Sequence, residues 1–250
     1  MRVFISGASS GLGEAFARYY DAQGAQLGLF ARSRDKLQAL SASLSQPAKC
    51  YAGDVRVSSD LYAAAADFLQ DGAVDIVIAN AGISVGILNG IAEDAEVFRD
   101  VIETNVLGMG ATFEPFIAGM QQRGCGTLVG ISSVAGVRGL PGSSAYSASK
   151  AAATVFLESL RIDLYGTGVK VVTIAPGFID TPMTQHNPYP MPFLMQPGDF
   201  AAQAGRAIAR GRRYTVIPWQ MGLVARLMRL IPGALYDRIM SRAGRKPRRQ

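Results

Sequence analysis

Histidine and cysteine are nearly absent from the chain, which holds one histidine, His186, and two cysteines, Cys50 and Cys125, in 250 residues. That stock builds neither a metal-ligand cluster nor a disulfide framework, so no metal is expected and a reducing, cytoplasmic compartment is. Long apolar runs are missing too, because Arg226, Arg229 and Pro232 interrupt the most apolar stretch, and no membrane span is expected. The opening MRVFISGASSG turns to glycine and serine too soon to read as a signal peptide. Acid is scarce in one region. Gly205 to Gln250 carries twelve Arg/Lys against one acid, a local charge of +11, so with +6 overall the first 204 residues sum to −5. The basic character therefore belongs to the C-terminal region and not to the body.

What is present is a full core's worth of apolar residues, 49% of the chain, enough for one α/β domain. Apolar strand-like runs are expected at Arg2–Ser6, Gln26–Ala31, Ala48–Ala52, Val74–Ala79, Gly126–Ile131, Val169–Ala175 and Tyr214–Ile217. Helical periodicity alternates with them over Leu12–Gln23, Asp35–Leu44, Ser59–Gln70, Ala95–Gln121, Ala145–Gly166 and Pro197–Arg210. Continuously apolar strands such as VDIVIAN and VKVVTIA are those of a parallel sheet covered on both faces. The expected fold is α/β, a doubly wound parallel sheet of about seven strands in the Rossmann arrangement. Residues 1–217 form the nucleotide-type unit, and 218–250 a basic, amphipathic helical extension of the same domain.

In such a sheet ligands gather at the carboxyl ends of the strands. After the first strand, SGASSGLG places Gly7, Gly11 and Gly13 ahead of a helix, with Ser9, Ser10 and Leu12 between them. Glycine lets the backbone approach a pyrophosphate, which the helix N-terminus favours. The second strand ends in LFARSR, with Ala31 where an acid would hold a ribose 2′-hydroxyl, and Arg32 next, a partner for a 2′-phosphate. NADP(H) is therefore favoured, with NAD(H) left open. Asp54, followed by Val55, can accept from an adenine amino group, and Asn80, Ala81 and Gly82 let the chain pass close to a ribose.

The fifth strand ends GISSVAG, bringing Ser132 and Ser133 to the same edge. SAYSASK follows, and on a helix its Tyr146 and Lys150, four apart, share a face. A fixed cation beside a phenol stabilises phenolate, lowering a pKa that is ordinarily about 10 and making tyrosine a usable acid/base.

SGASSGLG, IANAG, GISSVAG, YSASK and PGFIDT, in this order and spacing over residues 1 to about 217, resemble the short-chain dehydrogenase/reductase superfamily in its single-domain form. The resemblance implies NAD(P)-dependent interconversion of a carbonyl and a secondary alcohol. It makes Tyr146 the general acid/base and Lys150 the residue that binds the nicotinamide ribose and lowers the tyrosine pKa. Ser133 polarises the substrate oxygen, Ser132 being the less favoured neighbour, and Asn105 holds a relay water. Pro176, Gly177, Ile179 and Thr181 border the nicotinamide. Ser6 stands where the family usually has threonine. The resemblance also implies a homo-oligomer, dimer or tetramer. The rival reading is a cofactor-sensing regulatory or scaffold protein on the same fold.

Residues 181–199 hold Met183, Tyr189, Met191, Phe193, Leu194 and Met195, either lining the pocket of an apolar carbonyl substrate or packing on the core. His186 is expected to be a loop residue. In Trp219–Ile231, Leu223, Val224, Leu227, Met228 and Ile231 make an apolar face opposite Gly222, Arg226 and Arg229. Two readings compete: a lid or subunit contact with a solvated tail, or a peripheral membrane contact with a polybasic end. Nucleic acid is not expected as a partner.

Overall fold

A computed structural model describes residues 1–185 and 187–248. His186, Arg249 and Gln250, and the expectations attached to them, lie outside the described residues.

Seven strands, β1 (Arg2–Ser6), β2 (Gln26–Ala31), β3 (Lys49–Ala52), β4 (Ile76–Ala79), β5 (Gly126–Ile131), β6 (Val169–Pro176) and β7 (Tyr214–Ile217), form one parallel sheet in the order β3-β2-β1-β4-β5-β6-β7. Strand order reverses between β1 and β4, which opens a crevice at their carboxyl ends. Side chains alternate across the sheet: Val3 and Ile5 pack on one side with Phe16 and Phe200, while Phe4 packs on the other with Phe68, Phe113 and Phe116. The first layer holds α1 (Gly11–Asp21), α2 (Arg34–Ala42) and α7 (Pro197–Ala209); the second holds α3 (Ser58–Gln70), α5 (Gly108–Arg123) and α6 (Ser144–Asp163). Phe4 is fully buried, its ring centre 5.0 Å from that of Phe116, and burial of such a side chain contributes about 1.5–3 kcal/mol.

The single helix expected over Ala95–Gln121 is not continuous. It is α4 (Asp94–Ile102), then a wide π turn over Glu103–Leu107, then α5. The π turn carries Asn105, whose fully buried amide accepts from the Ile83 N–H at 2.8 Å and donates to the Ile83 carbonyl and the Ser149 hydroxyl, both at 2.9 Å. These bonds tie the π turn to the segment after β4 and to α6, and such turns are frequent at functional positions.

Beyond β7 come α8 (Trp219–Leu230) and α9 (Gly233–Met240). Arg138, in the loop after β5, donates to the carbonyls of Met228 at 3.0 Å and Ile231 at 2.7 Å, and its guanidinium lies 3.8 Å from the centre of the Tyr236 ring. The Tyr236 hydroxyl donates to the Gly139 carbonyl at 2.7 Å. The expected apolar face of α8 is not the one that packs: Leu223 and Leu227 are exposed with Trp219 and Leu230, Val224, Met228 and Ile231 are half-buried, and the buried residues are instead Met221 and Ala225. The expectation of a solvated tail is also corrected, because Lys246 and Arg248 are bonded to the body of the protein. No helix among the described residues is long and apolar enough to cross a membrane.

Candidate active site

A cavity of about 660 Å³ runs along the crevice at the carboxyl ends of β1, β2, β4, β5 and β6. At one end lies the glycine turn. Gly7 adopts φ +67°, and its Cα faces the backbone of Ala81 so closely that no side chain fits between them. The Asn80 amide pins the two segments, donating to the Ser6 and Gly7 carbonyls at 3.2 and 3.0 Å. The Ser6 hydroxyl accepts from the Ala81 N–H and from Thr112, both at 3.4 Å, so a hydroxyl is all that this position requires. Ser10 begins α1 without capping it through its side chain, which leaves first-turn N–H groups for an anion.

Ser9, Ser10, Gly11, Leu12, Asp54, Val55, Ala81 and Gly82 all line this cavity. Two expected residues do not. Gly13 sits behind the turn, packed on the Gly7 carbonyl where a side chain has no room, and Asn105 lies behind Gly82. Both shape the wall without forming its surface.

Arg32 lines the far end of the cavity, and Lys36, which the sequence reading passed over, stands there with it. Ser33 caps α2 by accepting from the Lys36 N–H at 3.4 Å, which fixes both cations on one helix start. Neither forms an ion pair among the described residues. The run Arg32-Ser-Arg-Asp-Lys36 was a visible signal for the second cation. Asp54 is held by Arg56 through contacts of 2.8–3.2 Å, which keep its carboxyl below the usual range.

At the other end Ser133, Tyr146, Lys150, Pro176, Gly177, Ile179 and Thr181 converge. The two serines differ in what they touch. Ser132 donates to the Lys150 carbonyl at 3.0 Å and shares a 2.6 Å hydrogen bond with Thr154, tying β5 to α6. Ser133 accepts from the Ala135 N–H at 3.1 Å, which orients its hydroxyl beside the Tyr146 phenol. The Lys150 ammonium donates to the Ile131 carbonyl at 2.8 Å and lies 5.8 Å from the centre of the Tyr146 ring. Burial pushes the lysine down to about 8. It also pushes the Tyr146 phenol up, against a smaller downward effect of Ser133, so the expected lowering of this pKa by Lys150 is not seen in this structure.

The loop after β6 divides its apolar residues. Met183 lines the cavity, Met195 packs on the core, Tyr189 faces Phe178 with ring centres 6.4 Å apart, and Phe193 and Leu194 are exposed. Among the described residues no group of three His, Cys, Asp or Glu is placed to hold a metal ion.

A dinucleotide fits these residues: a cavity along several strand ends, a glycine turn whose first helical N–H groups are left without a side-chain cap, two cations at Arg32 and Lys36, and Tyr146 with Lys150 in the same lining. The sequence profile described as short chain dehydrogenase matches residues 1–190. An uncharacterized oxidoreductase of Myxococcus xanthus is 40% identical over 238 residues, 93% of both chains. A sulfoacetaldehyde reductase of Chromohalobacter salexigens is 37% identical over 187 residues, 73% of this chain and 74% of that one. Among solved structures, a short-chain dehydrogenase from Sphingobium yanoikuyae in complex with NADPH superposes with a TM-score of 0.77 at 26% identity, over 93% of this chain and 97% of that one. With a profile match over residues 1–190 and relatives of this similarity, the chain belongs to the short-chain dehydrogenase family, whose members are nicotinamide-dependent oxidoreductases of CH-OH/C=O groups.

Proposed function

We propose that the protein is an NADP(H)-dependent reductase that interconverts a carbonyl and a secondary alcohol on a substrate with an apolar body, with Tyr146 as general acid/base. The observation that carries this reading is that Ser133, Tyr146 and Lys150 meet at one end of the cavity whose other end presents Arg32 and Lys36. Arg32 and Lys36 receive a 2′-phosphate, for which an unpaired guanidinium and ammonium are the natural partners. Gly7, Ser9, Ser10, Gly11 and Leu12 seat the pyrophosphate, Asp54 and Val55 border the adenine, and Asn80, Ala81 and Gly82 border a ribose. Gly13 supports the turn from behind.

When bound, the nicotinamide supplies the hydride that adds to the carbonyl carbon. Tyr146 passes its phenolic proton to the carbonyl oxygen, and Ser133 donates to that oxygen as negative charge grows on it. Lys150, held by the Ile131 carbonyl, binds the nicotinamide ribose beside Tyr146. Pro176, Gly177, Ile179 and Thr181 orient the nicotinamide against this group, and Met183 provides apolar contact for substrate. The Asn105 side chain is engaged by Ile83 and Ser149, and its proposed part is to hold the π turn against the wall at Gly82. A relative named for reducing sulfoacetaldehyde supports the direction, and a neighbour bound to NADPH supports a nicotinamide cofactor, another of the same fold being bound to NADH, so the preference for NADP(H) rests on Arg32 and Lys36.

The test is loss of NADPH absorbance against a panel of ketones, aldehydes and 3-oxoacyl thioesters, by the wild type and by Tyr146→Phe. Turnover by the wild type alone is expected. Equal turnover by both would sink the mechanism, and tight NADPH binding with no turnover of any carbonyl would favour the cofactor-sensing alternative.

Two finer features belong to the same reading. Exposed Val155 and Ile162 on α6 support a homo-oligomer, dimer or tetramer, which light scattering would measure directly. Exposed Trp219, Leu223, Leu227 and Leu230 beside Arg226 and Arg229 support a peripheral membrane contact, for which co-sedimentation with anionic vesicles is the test.

A further inference from the structure

The segment from Ala243 to Arg248 returns to the substrate end of the cavity and is fastened there at several points. The Arg248 guanidinium forks onto buried Asp94, with contacts of 2.8 and 2.9 Å, while its backbone bridges to Gly86. The Lys246 N–H donates to the Pro141 carbonyl at 3.3 Å. At Gly86 the backbone of Lys246 and Pro247 lies so close that a side chain there would collide with it. These contacts hold the segment without any help from the Lys246 side chain.

That side chain turns inward. Its ammonium donates to the Ser84 hydroxyl at 2.7 Å and stands 5.8 Å from the centre of the Tyr146 ring, the same distance as Lys150. Ser84 directly follows Gly82 and Ile83, which line the cavity. No carboxylate among the described residues comes within ion-pair distance of it. An ammonium has three donors, and Ser84 accepts one. Burial alone pushes the lysine pKa down, with no acid acting against it. A half-buried cation without a counterion is costly unless an anion joins it. Lys150 does not share this condition, since the Ile131 carbonyl and the ribose site account for it.

We propose that Lys246 and Ser84 form an anion-binding subsite beside Tyr146, so that the substrate carries a carboxylate, or another oxyanion of that kind, a few atoms from its reacting carbonyl. This rests on the carbonyl/alcohol reading of the Tyr146 end of the cavity. An apolar body against Met183 and an anionic group at Lys246 describe one molecule, an oxo acid with a hydrocarbon portion.

The experiment pairs acetoacetate and levulinate with their methyl esters, which keep the carbonyl and remove the charge. Calorimetric titration into the protein with NADP⁺, which carries no hydride to transfer, reads binding apart from turnover. For at least one pair the acid is expected to bind the wild type about tenfold more tightly than the ester, as one charge-assisted hydrogen bond allows. Lys246→Met should erase that preference, and Lys246→Arg should keep most of it. Equal binding of acid and ester to the wild type, or a preference unchanged in Lys246→Met, would overturn the proposal. The same pairs are then assayed with NADPH. Lys246-dependent binding without turnover would leave the subsite standing and bring down the reductase reading, whereas turnover with no acid preference would do the reverse.

Discussion

The Lys150 ammonium donates to the carbonyl of Ile131, the last residue of β5, at 2.8 Å. One strand end therefore sets both the cation and, two residues on, Ser133. Burial brings this lysine down to about 8 from its ordinary 10.5. Between those values the unfolded chain binds more protons than the folded one, so this group's contribution to stability increases as pH rises through that window. The wild type should gain stability relative to Lys150→Met from about pH 8 upward, levelling off near the ordinary lysine value. Denaturant midpoints of the two proteins at stepped pH will show it.

Tyr146→Phe keeps the ring and removes only the phenolic oxygen. The kcat for carbonyl reduction should fall by about 10²–10⁴ while NADPH affinity changes little. Initial rates, together with a fluorescence titration of NADPH, separate the two effects.

The adjacent serines should respond differently. Ser133→Ala is expected to lower kcat/KM by about 10² with little loss of stability, because the role proposed for its hydroxyl is to donate to the reacting oxygen. Ser132→Ala breaks the link to Lys150 and Thr154 and should cost about 1 kcal/mol of stability, with a smaller kinetic effect. Urea melts and steady-state kinetics on both variants decide the assignment.

Arg32→Ala combined with Lys36→Ala should raise the KM for NADPH by about tenfold or more and leave that for NADH nearly unchanged, since only the former carries the extra phosphate. The ratio of the two constants is the measure, and an equal rise in both would place these cations elsewhere in recognition.

Arg138→Ala removes the donor to Met228 and Ile231 and the partner stacked on Tyr236. Limited proteolysis should then cut between β7 and Arg248 faster than in the wild type, with the sheet left intact.

Most of the sheet was legible because its signals are local. The apolar runs of β1, β2, β5 and β7 coincide with the expected strands, and the glycine turn sits where the spacing put it. The π turn at Asn105 was not legible, because no glycine or proline interrupts ETNVL. The widening is tied to Ile83 and Ser149, 22 and 44 residues away. The pKa of Tyr146 was misjudged for a related reason: helical spacing reports the nearness of Lys150 but not the burial that opposes it. Lys246 looked like one cation in a basic run, and its place beside Ser84, 162 residues earlier, has no counterpart in the local sequence.

That separation has a consequence for how the protein is made. A nascent chain that has emerged through β7 already owns the whole sheet, the glycine turn and the trio of Ser133, Tyr146 and Lys150. It still lacks the contacts that Lys246 and Arg248 make with Ser84 and Asp94. Non-local contacts of this span form late. On the reading proposed above, the residues assigned to the nucleotide are therefore all synthesised before the anion subsite can exist.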